Sequence, residues 1–489
     1  MTGKARWIVT PRDPLVLGDG RPGIPGVAPD AWRLPLPTTT AGMVRSCFVQ
    51  DRSSVTSKDA EDLLEHVRIR GPWVLEDTDE GPPRHHFPPP SDLLVDGDGR
   101  VHAARLIALD RDEGVSWPPG LAPLPLWVSL ADKDEKQEKL HPPNQVVWPL
   151  EELVYFSLGL TSPGWREPRG PALELESRIH VAIDPDCQTA EPGLLYATTG
   201  VRFPERVHLA LEVEATLPEG TWGPLPRAVV VGGESRPSFL QVEEGTGLPG
   251  LDSLPFFPGD RLEAGTWAEV VALAARGRTR PGDRGDPGAE RGPRAGFQVP
   301  AGPAEGIRLQ LLTPASLDFG NDPEKGKRLA QVPGHQAWLP SWLERGERLA
   351  GVHPQLARDG APDITLELTA VCIPRGFVSV SGWNLQATAK KSEDRDTTGQ
   401  ETSPTGGPRE VRRLVPAGSV YYFTVWENGR KLEGPALVDV FQRLWMASLE
   451  PEGEVLVDRH RMRAHPARDG FGLVLPGFWR SHRADGKRS

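Results

Sequence analysis

Cysteine is scarce: Cys47, Cys187 and Cys372 stand far apart, are odd in number and have no C-x-x-C spacing. That pattern excludes a disulfide framework and a zinc ribbon and fits a reducing compartment, so a cytoplasmic protein is expected. Nor does any apolar run approach bilayer-spanning length, and residues 1–7 lack the apolar core of a signal peptide. A soluble chain without membrane association is expected. Positive charge is also short: 56 Lys and Arg against 67 Asp and Glu give a formal net charge of −11. Free-standing phosphate binders display a basic surface overall. Any nucleic-acid contact here must therefore use a local basic groove, leaving acidic outer faces for solvent or basic partners.

Catalytic signatures are missing too. There is no G-x-S-x-G elbow, no H-E-x-x-H and no paired Cys/His signature. The stretch from Gly320 to Lys327 resembles a phosphate-binding loop, but five residues separate its glycines where four are needed, and Arg328 replaces the hydroxyl residue. His85 and His86 are adjacent, so on an extended segment they point to opposite sides, and no third ligand stands nearby. Asp96-Gly97-Asp98-Gly99 lacks the later glutamate of a calcium loop and reads as a hairpin turn. His460 and His465 have no evident partner. No metal, no cofactor and no enzymatic activity are expected.

What is present is glycine and proline, 53 and 52 of them, in a chain of 489 residues. Such a composition places many residues in turns and connections and argues against a helical bundle, while the length calls for two domains. Residues 7–10 alternate as a strand, a Gly/Pro loop follows, and a helix opens at Pro37-Thr38. The consecutive threonines Thr38, Thr39 and Thr40 offer an N-cap hydroxyl, the first N–H groups can receive a phosphate, and Arg45 adds charge. Gly42, inside that helix, suggests close approach by another backbone or by RNA.

An amphipathic helix is expected over 57–70, followed by a strand at 71–75. Residues 177–184 and 193–203 read as a long β-hairpin, and 207–215, 306–314, 364–373 and 420–425 as strands. Helical spacing recurs at 149–159 and 434–446. Gly232 and Gly233 permit either close approach to a ligand or a tight turn ahead of Arg236. Segments near 276–295 and 386–410 are too polar to bury a core and are expected to be disordered.

Two motifs carry a resemblance: D-P-L-x-x-x-D-G-R-P at 13–22 and P-T-T-x-x-G-x-x-R at 37–45. Together they resemble the third-subunit family of the Cmr module, RAMP-superfamily proteins of type III-B CRISPR effectors. Four later segments fit in order: F-P-P-P-S-D at 87–92, G-G-E-S-R at 232–236, S-G-W at 381–383 with P-A-G-S-V-Y at 416–421, and G-F-G at 470–472.

The resemblance implies an α+β protein of two tandem ferredoxin-like (RRM-related) RAMP domains with long loop insertions, 1–205 and 206–489. It also implies a non-catalytic RNA-binding subunit that caps a CRISPR RNA at its 5′ tag and docks the large polymerase-like subunit and backbone RAMP subunits. A metal-independent RAMP endoribonuclease processing precursor RNA is the rival reading. The hairpin is then a thumb that disturbs RNA stacking, with Arg178, His180, Tyr196 and Arg202 as RNA contacts, or else an ordinary edge hairpin. The remaining RNA candidates are Asp19, Gly20 and Arg21 beside the threonine helix entrance, Gly42, Arg45, Gly232, Gly233, Arg236, Trp383, Lys390, Lys391, Gly470, Phe471 and Gly472.

The charge balance yields the first prediction. The isolated chain should bind RNA weakly and with steep salt dependence, and more tightly within an assembly. A titration across salt concentrations checks this, and tight, salt-insensitive binding by the lone chain would contradict it.

Overall fold

Along Thr2–Pro11, Ala5, Trp7 and Val9 alternate with Lys4, Arg6 and Ile8, and that period of two fixes which side chains face which layer. The structure, a computed structural model, describes residues 2–17, 34–48, 66–108, 124, 126–129, 140–160, 165–183, 186–187, 189–216, 225–233, 236–254, 266–277, 299–317, 338–346, 348–357, 364–374, 378–380, 383–384, 407–408, 412–450, 455–456, 463–464 and 466–481. The fold is mixed α and β, built mostly of antiparallel sheet with few helices.

The first sheet has seven strands in the spatial order Ala228–Val230, Pro237–Glu244, Thr2–Pro11, Val207–Thr216, Val67–Glu76, Arg84–Phe87 and Trp148–Pro149. One face, with Ala5, Trp7, Val9, Val67, Ile69, Leu209, Leu211 and Val213, packs against Ala41, Met43, Val44 and Phe48 of the Pro37–Phe48 helix. Trp7 meets Phe48 with ring centroids 5.7 Å apart. Burying each such large apolar side chain contributes about 1.5–3 kcal/mol.

One expectation is corrected here. The helix expected through Arg70 is absent over its last residues, because Val67–Glu76 is a strand in which Val67 and Ile69 face the core and Arg68 and Arg70 the other side. β-Branched residues at every second position favour that extended state; the rest of the expected helix, 57–65, lies outside the described residues. Val207–Thr216 pairs with both Thr2–Pro11 and Val67–Glu76, so the first sheet draws on the chain as far as Glu244.

The second seven-stranded sheet runs Glu344–Arg345, Leu349–Val352, Ile364–Cys372, Val420–Glu427, Gly306–Leu311 and Val474–Trp479, with Arg430–Leu432 on Val420–Glu427. The Gly434–Leu437 turn and Val438–Leu444 helix realise the helical spacing at 434–446. Trp267–Arg276 begins with a reciprocal capping box between Thr266 and Glu269. Of the expected disordered segments, Arg276 closes that helix and Gly407–Pro408 pairs with Trp383–Asn384, while 278–298 and 385–406 lie outside the described residues.

One apolar cluster joins the two sheets. Trp73, Phe87, Trp148 and Tyr155 pack in it with Ile307, Tyr421, Phe423, Phe441 and Phe478. At its margin the buried Asp92 carboxylate accepts two bonds from the Arg308 guanidinium, both 2.6 Å, and one from the Tyr422 hydroxyl at 2.5 Å. Burial and the Asp92 charge hold the Tyr422 hydroxyl well above its ordinary range, so it stays protonated and donates. Arg308 also lies 5.2 Å from the Phe156 ring centre.

Removing one member of a buried ion pair strands the other. Asp92→Ala should cost about 3–5 kcal/mol, and Asp92→Leu with Arg308→Met should recover much of the loss. Urea denaturation of the three proteins checks this, and an Asp92→Ala protein of unchanged stability would overturn it.

Candidate nucleic-acid interface

The Pro37–Phe48 helix places Pro37 at its first position, where a missing N–H costs nothing. The residue before it is Leu36, so no threonine occupies the N-cap, which corrects the expected capping role. Thr39 and Thr40 N–H groups donate to the Leu36 carbonyl, at 2.9 and 3.4 Å, and the Thr40 hydroxyl turns back to Pro37 O at 3.0 Å. Thr40 is buried, Thr39 half-buried, and Thr38 and Gly42 exposed on the outer face one turn apart. A Cβ on Gly42 meets nothing within 4 Å among the described residues, so no described backbone lies against it. Arg45 is engaged within the chain: its guanidinium lies 2.5 Å from the Asp469 carboxylate and ties the helix to the C-terminal segment. Asp19, Gly20 and Arg21 lie outside the described residues.

The segment after Asp13 is held by two distant parts of the chain. Leu15–Val16 pairs with Val201 and Gly200, and Gly233 N–H donates to Val16 O at 2.8 Å. Gly232 has φ +78°, and a Cβ there would lie 2.5 Å from Val16 O. The close approach that Gly232 and Gly233 permit is therefore made by this chain's own backbone, with Arg236 half-buried beside it.

Gly470 behaves similarly. Its φ is +97°, a Cβ would lie 2.3 Å from Gly71 O, and its carbonyl accepts from the Thr313 hydroxyl at 2.7 Å. Phe471 packs with Leu36, Val378 and Leu414, while Gly472 N–H donates to Pro314 O at 2.9 Å. The cluster brings the start of the Pro37–Phe48 helix, the 470–472 turn and the Val378–Val380 strand together. Trp383 follows two short ladders out from that strand, whereas Lys390 and Lys391 lie outside the described residues.

The hairpin is longer than expected, Glu174–Ile183 with Ala190–Arg202. Its register sets Glu174 opposite Arg202, Arg178 opposite Thr198 and His180 opposite Tyr196. Directly opposed residues and those two apart share a face, so Arg178, His180 and Arg202 occupy one face together. On it Arg178 donates to Glu176 at 2.7 Å, and His180 Nε2 lies 2.7 Å from the Thr198 hydroxyl. The other face carries Leu175, Ile179 and Val181, which are 44%, 79% and 39% exposed, with Ile183 at 55% beyond a bulge.

The histidines considered for catalysis fall in two groups. His85 accepts from Trp73 Nε1 at 2.9 Å, and burial, then the charges of Arg6 and His86, lower its pKa to about 3, so it is neutral at neutral pH. His86 is buried 2.9 Å from the Glu76 carboxylate. His460 and His465 lie outside the described residues. Among the described residues no three His, Cys, Asp or Glu side chains are placed to hold a metal ion. Sequence reasoning missed the arginine pair Arg68 and Arg70; reading 67–70 as a strand, with period-two alternation, would have set them on one face.

The family model for "CRISPR-associated protein (Cas_Cmr3)" matches residues 7–254 and 297–479. The unmatched stretch between contains the Trp267–Arg276 helix. No curated protein matches. Among solved structures, a chain of the type III-B Cmr-beta complex bound to cognate target RNA is 12% identical, covering 85% of this chain and 86% of that one at a TM-score of 0.31. A second chain, from that complex with cognate target RNA and AMPPnP, is 13% identical over the same shares at a TM-score of 0.30. A chain of the type III-A Csm3–Csm4 subcomplex is 7% identical, covering 88% of this chain and 99% of that one at a TM-score of 0.26.

The glycines give opposite expectations. Gly42→Ala should raise the melting temperature, since alanine is the better helix former by about 1 kcal/mol and has open space. Gly470→Ala should lower it, by about 1–3 kcal/mol of backbone strain before the clash with Gly71 is counted. Thermal melts of both variants check the pair, and a stabilised Gly470→Ala protein would be inconsistent with the observed turn.

Proposed function

This chain belongs to the Cas_Cmr3 family of CRISPR-associated proteins and is a component of a type III-B Cmr effector complex, and from that premise we propose that it is the non-catalytic subunit that caps the complex at the 5′ tag of the CRISPR RNA. In this reading it docks the large polymerase-like subunit on one side and a backbone RAMP subunit on another. The observation that carries RNA contact is the hairpin, whose register collects Arg178, His180 and Arg202 on one face of a ribbon joined to the first sheet's loop at Gly200 and Val201, with Tyr196 as a further candidate opposite His180 in the register. Guanidinium and aromatic planes stack on unpaired bases with little regard to sequence, which suits a protein that grips a strand.

The second element of the site is the outer face of the Pro37–Phe48 helix. Thr38 and Gly42 leave it low and open, so a phosphate backbone can lie close. Arg45 acts mainly through Asp469, by holding the helix in place. The tethering of His85 to Trp73 and the closeness of His86 to Glu76 support a non-catalytic role.

Both sheets are read as ferredoxin-like. In the first, Pro237–Glu244, Thr2–Pro11, Val207–Thr216 and Val67–Glu76 stand in the order fourth, first, third, second, with Pro37–Phe48 in the first crossover. In the second, Val474–Trp479, Gly306–Leu311, Val420–Glu427 and Ile364–Cys372 repeat that order, with Val438–Leu444 in the second crossover.

Co-expression with the other Cmr subunits should yield a complex carrying CRISPR RNA. Replacing Arg178 and Arg202 together by Ala should weaken retention of a tag RNA and lower the slope of log affinity against log salt by roughly 0.7 per lost phosphate contact. Multiple-turnover RNA cleavage by the isolated chain would overturn the cap in favour of a processing endoribonuclease.

A further inference from the structure

The outer strand of the first sheet, Ala228–Val230, is paired on one side only, with Pro237–Glu244. Ala228 stands opposite Phe239, Val229 opposite Ser238 and Val230 opposite Pro237. Leu240 N–H donates to Arg227 O and Val231 N–H to Arg236 O. By the alternation of an antiparallel ladder, the bonded pairs are then Arg227 with Leu240, Val229 with Ser238 and Val231 with Arg236. Ala228 and Val230 fall between them, and their N–H and C=O groups point away from the sheet. No described strand lies on that side.

The side chains repeat the asymmetry. Val229 and Val231 are buried in the cluster that holds Ala41 and Val44 of the Pro37–Phe48 helix, which anchors the strand. On the opposite face Ala228 is exposed, Val230 is 48% exposed and Phe239 is 57% exposed. Direct opposition and spacing by two put these three on one face, where the small Ala228 leaves the Phe239 ring uncovered. Among the described residues the other large apolar side chains so exposed, Leu175, Ile179, Val181 and Ile183, all lie on the hairpin strand Glu174–Ile183. An open ladder beside an uncovered apolar face is what sheets ordinarily blunt with a charge, a proline or a covering segment.

Charge narrows what can be added there. Arg227 is exposed at the start of the edge strand, and Arg12, also exposed, donates its N–H to Pro237 O. Among the described residues neither guanidinium has a carboxylate partner. Asp13 beside Arg12 is half-buried, and the exposed Glu244 stands beyond the ladder, opposite Ala5.

We propose that an extended segment of a neighbouring protein subunit adds to this edge as a further strand, with apolar side chains over Val230 and Phe239 and a carboxylate at Arg227. Main-chain bonds to Ala228 and Val230 supply affinity, and alternate side chains supply selection. RNA offers no evenly spaced main-chain ladder and gains nothing from the apolar face. The proposal gives a surface and a binding mode to the subunit docking proposed above, on which it rests, and is independent of the RNA contacts.

The test compares amide hydrogen exchange over residues 227–231 in three samples: the lone full-length chain, that chain with a tagged CRISPR RNA, and the co-expressed Cmr complex. Two variants accompany them. Val230→Pro removes an outward donor and no internal bond, as proline is tolerated at a sheet edge, and Arg227→Glu reverses the charge. The expected result is slower exchange in the complex alone. Either variant, melting as the wild type does, should bind the remaining subunits about tenfold more weakly, the scale of one lost hydrogen bond. Unchanged exchange in a complex that holds the chain overturns the edge and leaves the docking intact, whereas a chain that never joins the complex removes both. Protection by RNA alone, or in a lone chain that has become a dimer, assigns the edge to RNA or to a second copy and also overturns the proposal. If Val230→Pro unfolds, Arg227→Glu decides, and its assembly at wild-type affinity counts against the added strand.

Discussion

Asp92 carries a negative charge into the boundary between the two sheets, where water cannot solvate it, and the contacts around it depend on that charge being met. Arg308, on the strand Gly306–Leu311, and Tyr422, on Val420–Glu427, satisfy it from the second sheet. The carboxylate cannot reach them unless the segment at 87–92 is laid against the second sheet. Ser91 N–H does so through Gly418 O at 2.8 Å, and Gln310 through Pro88 O at 2.9 Å. A buried pair of this kind adds little net stability over an apolar contact, but any arrangement that separates its members strands a charge. It therefore acts chiefly on which packing of the two sheets is allowed.

The same logic explains why the segments that carry the family resemblance lie so far apart in sequence. F-P-P-P-S-D and P-A-G-S-V-Y meet at Ser91 and Gly418, where φ is +86° and a Cβ would stand 2.5 Å from Pro89 O. The loop after Asp13 meets Gly232 and Gly233, and G-F-G meets Gly71 and Thr313. Glycine at these contacts serves backbone against backbone within one chain. Motifs that resemble an RNA-binding family thus include many residues that fold the protein, and the exposed remainder, the hairpin face and the outer side of the Pro37–Phe48 helix, is where contact with another molecule is available.

Electrostatics divides along similar lines. A net charge of −11 is compatible with nucleic acid only if cations are gathered locally. Several described arginines are committed to carboxylates, as Arg6 is to Glu243, Arg45 to Asp469 and Arg308 to Asp92. On the hairpin Arg178 pairs with Glu176, both side chains being over one-third exposed, and such a pair exchanges for phosphate at small cost.

By itself the sequence determined the elements whose cause is local. Alternation at 7–10 and 207–215, the Pro37 helix start, the hairpin around 177–203 and the helical spacing at 434–446 all appear in the structure, because strand pleat and helix period act on neighbouring residues. Tertiary structure decided everything whose partner is remote. Val67 and Ile69 read as helix until the sheet flanking them supplied a reason for extension, and Val207–Thr216 joined the first sheet because Thr2–Pro11 and Val67–Glu76 both lay open to it. Arg45 looked free until Asp469, 424 residues away, was folded against it. Periodicity records which way a side chain points; what it meets there depends on chain closure over hundreds of residues, and no local pattern encodes that.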